Sequence, residues 1–176
     1  HNHTLYNVDK IIIPMTARDT IATFINDKGL YMDNANVWFI TVKGASADLM
    51  KAITCIINST IFTVLGKSGA NPQSGGYYKF NKQFLMPIPF PIAAVTEKAD
   101  CVAKLAKYYS EIFELQEQFL SATFNTKEII AGQLRQLWTE LDDICYSLYK
   151  VTDHEKQQII NIGRTVSRID LLNGVK

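Results

Sequence analysis

Asn36-Val37-Trp38-Phe39-Ile40-Thr41-Val42 is followed, after Lys43-Gly44-Ala45, by Ser46-Ala47-Asp48-Leu49 and an apolar run that continues to Leu65. The first seven residues are mostly aromatic and β-branched, which is strand composition. From Ser46 the period changes. Leu49, Ile53, Ile56 or Ile57, Thr60 or Ile61 and Val64 recur every three to four residues, the spacing of a helix laying one face on a sheet. Ser46 offers an N-cap oxygen, and Gly66 is the expected stop. A strand leading into a core helix predicts an α+β fold, with Trp38, Phe39, Leu49, Ile53, Ile57 and Ile61 in the core.

Upstream, Lys10-Ile11-Ile12-Ile13-Pro14 and Thr20-Ile21-Ala22-Thr23-Phe24-Ile25 read as two more strands. Asn26-Asp27-Lys28-Gly29 is turn chemistry, and Tyr31 opens a further segment. The result is an antiparallel sheet of about three or four strands. Downstream, residues 66–76 (GKSGANPQSGG) read as a loop, Tyr77 to Phe80 as extended chain, and Pro87-Ile88-Pro89-Phe90-Pro91 as extended because proline fixes φ. Beyond Thr96, an expected N-cap, the period is helical throughout. Val102, Leu105, Tyr109, Ile112, Gln116 and Phe119 form one stripe. Ile130, Leu134, Leu137, Leu141, Ile144 and Leu148 form another. Phe124-Asn125-Thr126 lies between them. This pattern predicts an antiparallel hairpin with arms on the order of 35 Å long. Trp138 sits beside the seam, and Thr152 caps a short final helix. The expected organisation is a strand-rich domain over 1–95 and a helical hairpin with a short C-terminal helix over 96–176.

Composition narrows the function. The chain has 176 residues, 47% apolar and 20% charged, with a net charge of +1. It can bury a core, and it is not a globally basic coat protein. Residues 1–95 carry eight Lys and Arg against five Asp and Glu. Residues 96–176 carry ten against twelve, so the first half is the better polyanion binder. Cys55, Cys101 and Cys145 are odd in number and far apart, which argues against a disulfide framework or a zinc knuckle and suits a reducing cytoplasm. The longest apolar run, Phe84 to Val95, is short and cut by three prolines, so no membrane span is expected. The chain opens on His1-Asn2-His3-Thr4 and is read as a piece of a longer protein. His1, His3 and His154 are the only histidines, which leaves a nucleophilic or metal site almost no candidates. Asp142-Asp143 falls on the polar side of its helix and reads as a solvated pair.

Gly66-Lys67-Ser68 resembles the tail of a phosphate-binding loop, but Ile61 stands where its first glycine belongs and the run follows a helix instead of preceding one. Asn71-Pro72-Gln73 is similarly incomplete as an amino-methyltransferase motif, and no glycine-rich turn after a strand offers a cofactor site. Lys67 through Gln83 holds three lysines, two tyrosines, four amides, two serines and no acid. Lysines and hydroxyls suit phosphates, and amides suit base edges. Arg18, in the polar turn Ala17-Arg18-Asp19, can fork onto a guanine edge or a phosphate, or pair locally with Asp19. The expected DNA face is Arg18, Lys43, Lys67, Ser68, Gln73, Ser74, Tyr78, Lys79 and Lys82, with Tyr77 and Tyr78 pointing to opposite sides. Lys67 and Ser68 are expected in a mobile loop past a helix end.

The run Ile56-Ile57-Asn58-Ser59-Thr60-Ile61-Phe62, then Tyr77-Tyr78-Lys79-Phe80-Asn81-Lys82-Gln83-Phe84-Leu85, then Pro87-Ile88-Pro89-Phe90-Pro91, resembles the TaqI-like C-terminal specificity domain. That domain is the target-recognition part of adenine-N6 DNA methyltransferases and type IIG restriction-modification enzymes. Lys10 to Pro14, the segment Tyr31…Asn34…Val37 to Ile40, and the closing Ile144 to Glu155 are similar to the same pattern, which covers roughly residues 8–160. The resemblance implies sequence-specific binding of double-stranded DNA, while a catalytic half elsewhere flips and methylates adenine. It places S-adenosylmethionine on that half, in the same polypeptide or a partner subunit, and leaves this chain without a catalytic residue of its own. Two alternatives stand beside it. One is half of a type I restriction specificity subunit. The other is a protein-interaction module that works through the helical hairpin without DNA.

Overall fold

A computed structural model describes residues 8–26 and 36–173. Most of the expected turn at Asn26 to Gly29, the segments around Tyr31 and Asn34, and both early histidines lie outside the described residues.

The fold is α+β. β1 (Lys10–Pro14) is the middle strand of an antiparallel sheet, between β3 (Thr23–Ile25) and β4 (Val37–Ile40). Ile12 pairs with Thr23 on one side and Phe39 on the other. Lys10 to Ile13 are all buried, which is why this strand reads as a continuous run instead of alternating. Trp38 and Phe39 are half-buried, less enclosed than expected, because β4 is the edge strand. Trp38 still anchors downstream chain, since its Nε1 donates to the Phe80 carbonyl at 2.9 Å. A second, smaller sheet joins β2 (Thr16–Ala17), β6 (Tyr78–Lys79) and β5 (Asn71–Pro72) in that order.

The helix expected over 46–65 is two helices, α1 (Ala47–Ile57) and α2 (Thr60–Gly69), bent by 63°. The break is a pair of caps. The Ser59 hydroxyl donates to the Ile56 carbonyl and accepts from the Phe62 amide. The Asn58 side chain accepts from the Ala22 amide at 2.7 Å and donates to the Ala22 carbonyl at 2.8 Å. Asn and Ser satisfy helix ends better than helix interiors. The apolar spacing carries on across them, so periodicity alone hides the bend. Nor does α2 stop at Gly66. A Cβ there would sit 3.2 Å from the Thr20 methyl and 3.3 Å from the Phe80 ring, so that glycine lets the helix approach closely. The proline-rich stretch is extended only in part, flanked by α3 (Lys82–Leu85) and α4 (Ile92–Thr96). Thr96 ends α4. Lys98 is the N-cap residue of α5.

α5 (Ala99–Ser121) and α6 (Phe124–Leu148) form the expected antiparallel hairpin. Leu105, Ile112, Phe119, Leu134 and Leu141 are buried along its seam, and the Tyr108 hydroxyl donates to Glu140 at 2.5 Å. α1 runs against α5, where Lys51 Nζ donates to the Ser110 hydroxyl at 3.1 Å. One apolar core therefore continues from Ile11, Ile53 and Ile57 to Leu105, Leu134 and Leu141. α7 (Asp153–Ile162) begins with a Thr152–Glu155 capping box, and α8 (Arg168–Leu172) closes the described chain. Among the described residues no single helix is long and apolar enough to cross a membrane.

Ile53 is 6% exposed in this core. Ile53→Ala should cost about 2–5 kcal/mol through lost burial and a residual cavity. The shift in urea midpoint measures it, and a loss below about 1 kcal/mol would place that helix face outside the core.

Candidate nucleic-acid interface

The small sheet gathers most of the charged and amide side chains expected to face DNA. Thr16 pairs with Lys79, and Lys79 pairs with Asn71, so these three exposed residues form one row across three strands. Arg18 and Tyr77 lie two residues from Thr16 and Lys79 and share their side of the sheet. The Arg18 guanidinium carbon rests 5.2 Å from the Tyr77 ring centroid. It does not pair with Asp19. Gln73 and Ser74 are exposed where β5 turns into β6, and the Gln73 amide donates to the Tyr77 carbonyl at 2.7 Å. Gly75 and Gly76 have φ of 72° and 76° there, a left-handed pair that closes the turn. The expected structureless loop is thus a short hairpin. Lys82 continues the face in α3. With Asn36, Trp38, Asn81 and Gln83 it borders a shallow polar depression beside Lys79. Asn81 and Gln83 were within reach of the sequence reading, being amides in the acid-free run. Asn36 was not, because only the β1–β4 register carries it there.

Four expected residues lie elsewhere. Tyr78 turns inward and stacks on Phe80 with ring centroids 6.2 Å apart, so Tyr77 is the outward tyrosine. Lys43 follows the far end of β4, which pairs with Ile11, away from Asn36. Ser68 is in the last turn of α2, where its hydroxyl donates to the Leu65 carbonyl at 2.7 Å. Lys67, in the same turn, is 11% exposed and engaged internally. Its ammonium meets Asp19 Oδ1 at 2.5 Å and donates to the Thr165 hydroxyl at 2.6 Å. The expected mobile-loop lysine is a partner of a buried carboxylate.

Asp19 organises the underside of the sheet. It accepts from the Thr165 and Val166 amides at 2.9 and 3.0 Å, and Arg164 Nε lies 3.9 Å away. Burial alone would raise its pKa. The Lys67 hydrogen bond, the two amides and Arg164 outweigh burial and hold the carboxyl below the usual 3.8. Asp19, the acid that follows Arg18 in the chain, is thus turned inward and paired, while Lys79 and Lys82 are exposed and Arg18 is half-buried beside them. Asp142 corrects the other expectation about acids. It is half-buried and paired with Arg168, whereas Asp143 is exposed and pairs with Lys156 at 2.7 Å.

The passage from β4 into α1 carries one glycine, Gly44, with φ of 74°. No protein-family model matches the chain, and no curated protein matches its sequence.

Proposed function

We propose that this chain is the target-recognition part of a restriction-modification adenine-N6 DNA methyltransferase, and that it meets double-stranded DNA with the outer face of the β2–β6–β5 sheet. The supporting observation is the row Thr16–Lys79–Asn71 with Arg18, Gln73, Ser74 and Lys82 around it, a cationic and amide-bearing face drawn mostly from residues 67–83, which hold no carboxylate. Lysines there would neutralise phosphates, and Arg18 and the amides would approach base edges. Methyl transfer belongs to a catalytic half that binds S-adenosylmethionine, in the same polypeptide or a partner subunit. No step of it is assigned to this chain. A protein-interaction module is the second reading, favoured by one observation. Leu120, Phe124 and Ile129 are strongly exposed around the tip of the α5–α6 hairpin, with Phe124 at 79%.

Titrating the chain against mixed-sequence duplexes at several salt concentrations separates the two. DNA binding should weaken with salt. Lys79→Ala combined with Lys82→Ala should lower affinity for every sequence and flatten the log–log salt slope by about two units. Undetectable binding, or a slope unchanged in the double variant, would remove this face as the DNA surface.

A further inference from the structure

Arg18 is held differently from the lysines of its face. Lys79 and Lys82 are exposed, whereas Arg18 is half-buried just past the end of β2. Its Nε is enclosed and has no acceptor among the described residues, while Nη1 and Nη2 are not enclosed with it. The side chain therefore opens toward solvent at its forked end. Tyr77 steadies that end, with its ring centroid 5.2 Å from the guanidinium carbon, within reach of cation–π attraction. The ring in turn lies over the β5–β6 turn, where a Cβ on Gly75 would sit 3.6 Å from Tyr77 Cδ2. The turn, the ring and the guanidinium thus form one stack. It places Arg18 without giving it an ion pair among the described residues, since Asp19 is turned to Lys67 and Arg164.

We propose that Arg18 reads a guanine of the target site, with Nη1 and Nη2 donating to O6 and N7 of that base, and that Tyr77 is its positioning residue. The inference rests on the reading of the β2–β6–β5 sheet as the DNA face and adds the base which that face selects. A phosphate needs charge, and the exposed lysines supply it on flexible stems. A base edge needs two donors at a fixed spacing and in a fixed plane, which a half-buried stem and a ring provide. With Nε enclosed, the fork can be approached only at its Nη end. In the major groove guanine sets two acceptors side by side, whereas adenine sets a donor beside its acceptor and would oppose one N–H of the fork. The guanine edge also brings acceptors to a guanidinium that has none in the free chain.

The test selects bound duplexes from a random-sequence pool with the full chain. The native chain should enrich a site with a fixed G·C pair. Arg18→Lys keeps the charge and loses the fork, so it should enrich the same site with that pair degenerate and leave the salt slope unchanged. A second measurement needs no variant. In the enriched duplex, 7-deazaguanine at that position removes N7 and keeps the base pair, and it should weaken the native chain at least about fivefold. Arg18→Lys should not distinguish the two duplexes. Tyr77→Ala should lose this discrimination and Tyr77→Phe should retain it, both with general duplex affinity unchanged and with folding verified by circular dichroism. A phosphate contact predicts the opposite. Arg18→Ala would then weaken every duplex alike, flatten the salt slope by about one unit and leave the enriched site unaltered, and that result would overturn the proposal. An enriched site in which no guanine depends on Arg18 would overturn it equally, with the DNA reading intact. Undetectable binding to any duplex would overturn the DNA reading and this inference with it.

Discussion

Asp19→Ala should be among the most damaging single substitutions in this chain, costing about 3–5 kcal/mol of folding stability. The carboxylate is 1% exposed, pairs with the Lys67 ammonium and accepts from two backbone amides. Removing it strands a nearly buried lysine and leaves the Thr165 and Val166 donors without partners. Asp19→Asn keeps the shape and part of the hydrogen bonding, so it should cost less than the alanine and still weaken the fold. The same group sets a pH dependence. Its folded pKa lies below the unfolded value, so the folded state releases that proton more readily. The stability it contributes is present above the ordinary carboxylate range and is lost as pH falls through that range toward the lowered value. Urea midpoints measured from neutral pH downward should therefore decline more steeply for the native chain than for Asp19→Asn. Parallel curves would show that Asp19 does not carry the effect.

Asp19 also shows where the sequence stops being informative. The elements with a strong local signal were legible: the Lys10–Pro14 strand, the Val37–Ile40 strand, the two heptad-like helices and the Thr152 cap each follow from composition or period within a few residues. The helix break was written in the sequence too, as Asn58-Ser59, but an uninterrupted apolar stripe masked it. The partners of Asp19 could not be read at all. Thr165 and Val166 are about 146 residues away, and nothing local at Asp19 or Lys67 marks them as a pair. The candidate site divides along the same line. Gln73, Lys79 and Lys82 are exposed, as the polar, acid-free composition of their stretch suggests, although the hairpin and short helix that carry them are not legible in it. Lys67 has the same composition cue and the opposite fate, since its position in the last turn of α2 brings it under the sheet. Charge type is visible in a sequence, whereas the direction a lysine faces depends on which helix turn it occupies.

The bond between Arg168 and Asp142 should behave as one unit. Arg168 meets both carboxylate oxygens at 3.0 Å, donates to the Asn58 carbonyl at 2.9 Å, and lies 4.3 Å from the Trp138 ring centroid. Asp142 in turn accepts from the Thr60 amide at 2.8 Å and the Thr60 hydroxyl at 2.7 Å, so it caps α2 from another helix. The pair thus pins α8 and α6 to the α1–α2 bend. Asp142→Ala should cost about 3–5 kcal/mol, because it takes the acceptor from the Thr60 amide, leaving Ser59 as the remaining cap of α2, and leaves a largely buried guanidinium without its anion. Arg168→Met should cost less. The thioether chain can still cover Trp138, and Asp142 keeps its two Thr60 donors. The double variant should then lose less than the two singles added together, with a coupling of about 0.5–3 kcal/mol. Chemical denaturation of the four proteins gives that number directly. Additive losses would mean that the two side chains stabilise the bend separately, and that the C-terminal segment is held by Arg164 and the Asp19 amide bonds instead.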